Sequence, residues 1–132
     1  AAIFTVGAEI FIAGGRRLAA GGQVIDGALD LCSSYDPASD TWIERAALPT
    51  ARAAAAVGKL EGRYQVIGGR DAEGVVLNIT EEYDPGADAW RPLAVLPASV
   101  AGAASATIDG RVILAGGSDG TAIVDAVSTF NF

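Results

Sequence analysis

Polar side chains able to hold a ligand stand directly behind three double glycines in this 132-residue chain. Arg16 and Arg17 follow Gly14-Gly15, Arg70 follows Gly68-Gly69, and Ser118 follows Gly116-Gly117. Carboxylates come soon after: Asp26 before Gly27, Asp71 in the run that ends at Gly74, and Asp119 before Gly120. A guanidinium offers a planar fork of donors that matches a carboxylate, so recognition of an acidic group is the chemistry open to these arginines. The aspartates would serve calcium only with oxygen donors alternating along the loop. None has that spacing, and Asp-Gly is an ordinary turn signal, so the turn reading is preferred. A phosphate cradle would need the glycines to lead into a helix N-terminus, whereas these lead into strands.

The reactive groups that are missing are as informative. Histidine is absent, which removes the commonest general base and the imidazole metal ligand together. Ser-His-Asp and Cys-His arrangements are therefore impossible within this chain. The single cysteine, Cys32, forms no internal disulfide and no cysteine-rich zinc site, and reads as a buried structural thiol. No enzymatic activity, cofactor or metal is expected.

Sixteen acidic against nine basic residues leave a formal charge of -7, which repels phosphate backbones and anionic membranes, so nucleic acid is not an expected partner. Charge or glycine interrupts every apolar stretch short of a membrane span, no secretory apolar segment is visible, and a soluble chain without membrane insertion is expected. Arginine outnumbers lysine eight to one amid abundant alanine and glycine, a bias that points to a bacterial source with GC-rich coding. There is no methionine, so the chain is expected to be processed or truncated.

The elements that must position these side chains are announced by repetition. Tyr35-Asp36-Pro37, Trp42 and Leu48-Pro49 recur 48 positions on as Tyr83-Asp84-Pro85, Trp90 and Leu96-Pro97. The second and third double glycines are also 48 apart, while the first two are 54 apart, so six extra residues lie between Gly15 and Tyr35. A fixed period near 50 marks a repeat architecture. In the middle copy, 52–59, 63–69, 75–83 and 89–93 are short runs bounded by Glu61-Gly62, Gly69 to Gly74, Asp84-Pro85-Gly86 and Leu96-Pro97. Those lengths and turn formers predict four strands per repeat. No window carries a helical apolar stripe, and the alanine run at 51–56 is too short to nucleate a helix between Pro49 and Gly58.

On these residues the chain resembles the kelch repeat family. The resemblance rests on Gly14-Gly15, Gly68-Gly69 and Gly116-Gly117, on Tyr35 and Tyr83 closing the third strand, on Trp42 and Trp90 in the fourth, and on Leu48-Pro49 with Arg52 in the connector. It covers essentially the whole chain. It implies an all-β fold of kelch-type β-propeller blades, each four antiparallel strands, in which the glycines, tyrosines and tryptophans shape and pack the blades. One domain, 1–132, would hold blade 1 at about 1–46, blade 2 at about 50–94 and blade 3 at about 98–132. Phe130-Asn131 stands where Tyr-Asp is expected and no tryptophan strand follows, while Ala1 aligns with Ala55 and Ala103. Residues equivalent to 86–102 have no counterpart, leaving about two and three-quarter blades, roughly half of a six-bladed ring.

Propellers close with four to eight blades, so three leave two apolar faces uncovered. Two resolutions are expected: the chain belongs to a longer propeller, or two identical chains complete one six-bladed ring about a two-fold axis.

The resemblance further implies that the loops behind the double glycines and the connectors open on one face of the ring. Members that bind acidic peptides use arginines and hydroxyls there. Arg16, Arg52, Arg70 and Ser118 are thus the expected ligand-binding residues, with Asp71 and Asp119 beside them; Arg52 could instead pair with an acid to hold blades together. Copper radical oxidases of this kind need histidine ligands that the chain lacks. A module binding a protein segment or small anionic ligand is the leading expectation; a sugar mutarotase using Arg70, Asp71 and Asp119, and a half-propeller that only self-assembles, are the alternatives.

Overall fold

The computed structural model describes residues 1–132, with the side chains of residues 24–26 outside the described set. In chain order, β1 (Ala2–Val6) and β2 (Glu9–Ala13) form a hairpin, β3 (Arg16–Leu18) and β4 (Val24–Ala28) form a second, and β5 (Cys32–Asp36) and β6 (Thr41–Arg45) complete the first unit. The second unit is β7 (Ala56–Leu60), β8 (Arg63–Ile67), β9 (Thr80–Asp84) and β10 (Ala89–Pro92); the third is β11 (Ala104–Ile108), β12 (Arg111–Ala115) and β13 (Val127–Phe130). They pair as β1-β2-β5-β6, β7-β8-β9-β10 and β11-β12-β13, all antiparallel, with β3-β4 a small separate sheet.

Local chemistry explains each return of the chain. Glu61-Gly62 and Asp109-Gly110 carry positive φ at both positions, the two-residue turn that matches strand twist. The wider turns are built identically: Asp36 and Asp84 accept the backbone N–H two residues on (2.9 and 3.0 Å), and Asp40 and Asp88 take left-handed φ. Tyr35 and Tyr83 then donate their hydroxyls to Asp40 (2.8 Å) and Asp88 (2.6 Å). Each tyrosine pairs across the ladder with a tryptophan, Trp42 or Trp90, at 4.9 Å between ring centroids. Phe130 pairs with Val112 as Tyr83 pairs with Tyr64 and Tyr35 with Ile10, so its place in the third sheet is that of the tyrosine.

Two strands of the middle unit begin later than the sequence predicts, and its second and fourth end earlier, at Ile67 and Pro92. The third strand of the middle unit begins at Thr80 and not at Val75, because Val76 bridges to Arg70 and Leu77 donates to Gly69 O, which holds this stretch to the loop. The first begins at Ala56, since residues 52 to 54 bond as a connector and Ala54 has φ +57°. The extra residues after Gly15 form the β3-β4 hairpin, whose turn is closed by Ala19 N–H to Gln23 O (2.7 Å).

The sheets pack face to face through two cores. Between the first and second lie Ala2, Phe4, Phe11, Ala13, Cys32, Leu48, Tyr64, Val66 and Tyr83; between the second and third lie Ala56, Ile67, Leu96, Val112 and Leu114. β7 touches β1 on one side and β11 on the other, so the first strands of the sheets converge. Twisted antiparallel sheets stacked around their first strands are the blades of a β-propeller. The chain is all-β, with two complete four-stranded blades and three strands of a third. The second glycine of each pair is a point of close backbone approach: Gly69 has φ +100°, and a Cβ there would meet Ala53 O at 2.6 Å.

Candidate functional site

Arg16, Arg70 and Ser118 occupy one structural position. Arg70 exchanges both backbone hydrogen bonds with Ala53 (2.8 and 2.9 Å) and bridges to Val76; Ser118 does the same with Ala101 (2.8 and 2.9 Å) and bridges to Ile123; Arg16 pairs with Ala28. Each is the first residue after a double glycine, so the three sit at the same end of successive blades. A shallow cavity of about 420 Å³ brings Arg70 and Ser118 together, with Ala54, Gly102 and Ile123 among its walls. Its floor is tied by Gly102 N–H to Ala54 O (2.9 Å), joining the connectors into the second and third blades.

The donors in this cavity are lightly engaged. Arg70 Nη1 donates to Gly74 O at 3.3 Å, and no ion pair holds Arg70 among the described residues. Ser118 Oγ accepts the Gly120 N–H (3.1 Å), which leaves its own proton to donate. Gly27 of β4 lies against the loop of the second blade, where a Cβ would meet Ala72 O at 2.7 Å. Arg16 stays exposed on the hairpin.

Arg52 is placed differently, and the ligand-binding assignment is corrected for it. The side chain is 1 % exposed, and its guanidinium pairs with Glu81 Oε1 at 2.5 Å while Nη1 donates to the carbonyls of Ile79 (2.9 Å), Gly68 (3.0 Å) and Val66 (3.3 Å). Burial pulls its pKa down, and Glu81 opposes the shift. The carbonyls it satisfies belong to strand ends splayed by the double-glycine turn, so its donors are committed within the fold.

Asp71 and Asp119 close their own turns. Asp71 Oδ1 accepts the N–H groups of Val75 (2.9 Å) and Glu73 (3.0 Å); Asp119 Oδ1 accepts those of Thr121 and Ala122 (both 2.8 Å) and the Thr121 hydroxyl. These bonds, led by the one from Thr121 N–H, hold the Asp119 carboxyl below the usual range. The Asp26 side chain lies outside the described residues. Among the described residues no cluster of three His, Cys, Asp or Glu side chains could hold a metal ion. Cys32 is buried, which pushes its thiol up to about 11. No described helix is long and apolar enough to cross a membrane.

Sequence reasoning missed a second polar group at the opposite end of the blades. Glu82, 5 % exposed, accepts from Gln65 Nε2 (2.8 Å) and Arg91 Nε (2.8 Å), and a cavity of about 390 Å³ opens beside it among Lys59, Arg63 and Arg91. Its one signal was an adjacent acid pair, Glu81-Glu82, in a strand otherwise destined for burial. Ala54 and Gly102 were also missed, although both sit 48 apart just before a first strand.

No family model matches this chain, and no curated protein matches it. Among solved structures, that of YjhT superposes with a TM-score of 0.77 at 14 % identity, covering 96 % of this chain and 50 % of that one. The likeness is one of fold, and this chain spans about half the length of the YjhT chain.

Proposed function

We propose that the chain is part of a kelch-type binding module that takes a carboxylate-bearing protein segment or small anionic ligand on the face behind its double glycines. The observation that carries this reading is the cavity shared by Arg70 and Ser118. It holds a guanidinium with one 3.3 Å bond and a hydroxyl with a spare proton. Together they supply a charge-assisted fork and a neutral donor to one carboxylate, while Ile123 offers an apolar wall to the remainder of the ligand. Arg16 extends the donor set onto the neighbouring blade. Binding is favoured over sugar chemistry because the chain has no histidine and the carboxylates nearest the cavity, Asp71 and Asp119, are engaged by backbone N–H groups.

Titration calorimetry with a capped peptide containing two adjacent glutamates, against its diglutamine analogue, tests the reading. The acidic peptide is expected to bind and the amide peptide not. Arg70→Ala should weaken binding at least about tenfold, the worth of one charge-assisted hydrogen bond. Equal affinity of the two peptides, or of wild type and Arg70→Ala, would overturn it.

A further inference from the structure

The two end blades each present a sheet face that the repeat elsewhere buries. On the first blade the outward face carries Ile3, Ile10, Ile12, Tyr35 and Trp42, with Ile3 59 % and Trp42 60 % exposed. On the third blade it carries Ala106, Ile108, Ile113 and Val127, with Ile108 54 % and Val127 69 % exposed. Exposed apolar side chains gathered on one face mark an interaction surface.

The internal junctions show what such faces accept. At the first junction Phe4 stacks on Tyr64 at 4.5 Å, and Phe11 meets Tyr83 at 5.5 Å. At the second, the position equivalent to Phe4 is Gly58, against the Val112 side chain so closely that a Cβ would lie 2.5 Å from Cγ2. There Lys59 N–H also donates to Thr107 Oγ1 (3.0 Å). By the offsets of 48 and 54, the residue equivalent to Phe4 and Gly58 on the third blade is Ala106, and the residue equivalent to Tyr64 and Val112 on the first is Ile10. Thr5 likewise stands where Thr107 does, and Ile113 and Tyr35 stand where Phe11 and Tyr83 do. Each chain thus carries both halves of one more junction, one half at either end, with large and small residues again matched.

We infer that the open face of the third blade receives the first blade of a second copy of this chain. The contact is head-to-tail and occurs twice, so that two chains close one six-bladed ring. Ala106 packs on Ile10 of the partner subunit, Ile113 packs on Tyr35 of the partner subunit, and the Thr107 N–H donates to the hydroxyl of Thr5 of the partner subunit. This inference is independent of the ligand reading, because none of these residues lines the Arg70 cavity. A head-to-tail contact that closes at two copies leaves no free face; one that fails to close grows into a filament.

Light scattering on the 132-residue chain at micromolar concentration should give twice the mass of one chain. Ile3→Asp and Ile108→Asp, both at exposed positions, should each raise the dimer dissociation constant at least about tenfold by placing charge in an apolar contact, with circular dichroism unchanged. Orientation is read by disulfide trapping: Ala106→Cys mixed with Ile10→Cys should form a mixed dimer, while neither variant links to itself, and Cys32 is buried away from the reaction. A folded monomer, a self-linked Ile10→Cys or Ala106→Cys dimer, or an open polymer would each overturn the proposal.

Discussion

The connectors into the second and third blades share one backbone and carry different side chains. Leu48 and Leu96 donate to Asp30 O and Asn78 O (both 2.8 Å), Arg52 and Val100 to Leu29 O and Leu77 O (both 3.1 Å), and their own carbonyls accept Gly15 N–H and Gly69 N–H (both 2.8 Å). Yet the first connector sends a buried arginine to Glu81, whereas the second has valine, and the register places Ser128 where Glu81 stands. The junctions beside them differ in the same way. The first is aromatic, built from Phe4, Phe11, Tyr64 and Tyr83, and the second is aliphatic, built from Ala56, Ile67, Val112 and Leu114. One hydrogen-bond frame therefore tolerates two cores, because glycine and turn geometry set the frame while side-chain volume has only to match across each gap.

Exchanging the connectors breaks this comparison most sharply. Arg52→Val strands the buried Glu81 carboxylate and three carbonyls, and should cost about 3–5 kcal/mol in urea unfolding. Adding Glu81→Ser rebuilds the pair used by the third blade and should restore most of that loss. A double variant as unstable as the single one would show that the frame depends on the ion pair.

The two tryptophans give the next test. Trp90 Nε1 donates to Ala46 O of the preceding blade at 2.8 Å, and Asp88 accepts the Ala46 N–H. Trp42, its equivalent, lies on the open face. Trp90→Phe should cost about 1 kcal/mol for the lost hydrogen bond, while Trp42→Phe should change thermal unfolding little. Equal costs would show that the Nε1 bond to Ala46 O contributes nothing beyond packing.

Acid and alkali probe the same turn. The hydrogen bond from Tyr83, followed by that from Ala46 N–H, holds Asp88 below the usual carboxylate range. Its stabilisation is present above about pH 3.9 and lost as pH falls through the depressed value, so Asp88→Asn should flatten the fall in melting temperature between neutral and acid pH. Burial, reinforced by Asp88, raises the Tyr83 hydroxyl. That stabilisation is complete below about pH 10 and fades above it, and Tyr83→Phe should remove the alkaline loss. The smallest effect is expected at Arg16. Exposed on the β3-β4 hairpin, it should change stability by no more than about 0.5 kcal/mol on truncation to alanine, in contrast to Arg52.

How much of this was legible varied with the range of the interaction. The strand ladder could be read wherever turns are local: Tyr35 and Asp40 bond across five residues, as do Tyr83 and Asp88. The stretch from Val75 to Ile79 could not, because its β-branched residues read as strand while its hydrogen bonds run to the glycine pair. At the candidate site, the equivalence of Arg70 and Ser118 followed from counting, but their shared cavity depends on how two blades pack.

By itself the sequence determined the period, the turns and the tyrosine–tryptophan pairs, since positive φ and bonds over a few residues depend on the residues at hand. In sequence Arg16 and Arg70 stood behind double glycines and Arg52 in a connector, and all three were candidate ligand-binding residues. Only the tertiary structure separated them, enclosing Arg52 among carbonyls 14 to 27 residues away in the chain and leaving Arg70 at a cavity edge. Burial and charge pairing are properties of the packed blades, and no local pattern encodes which guanidinium the packing will enclose.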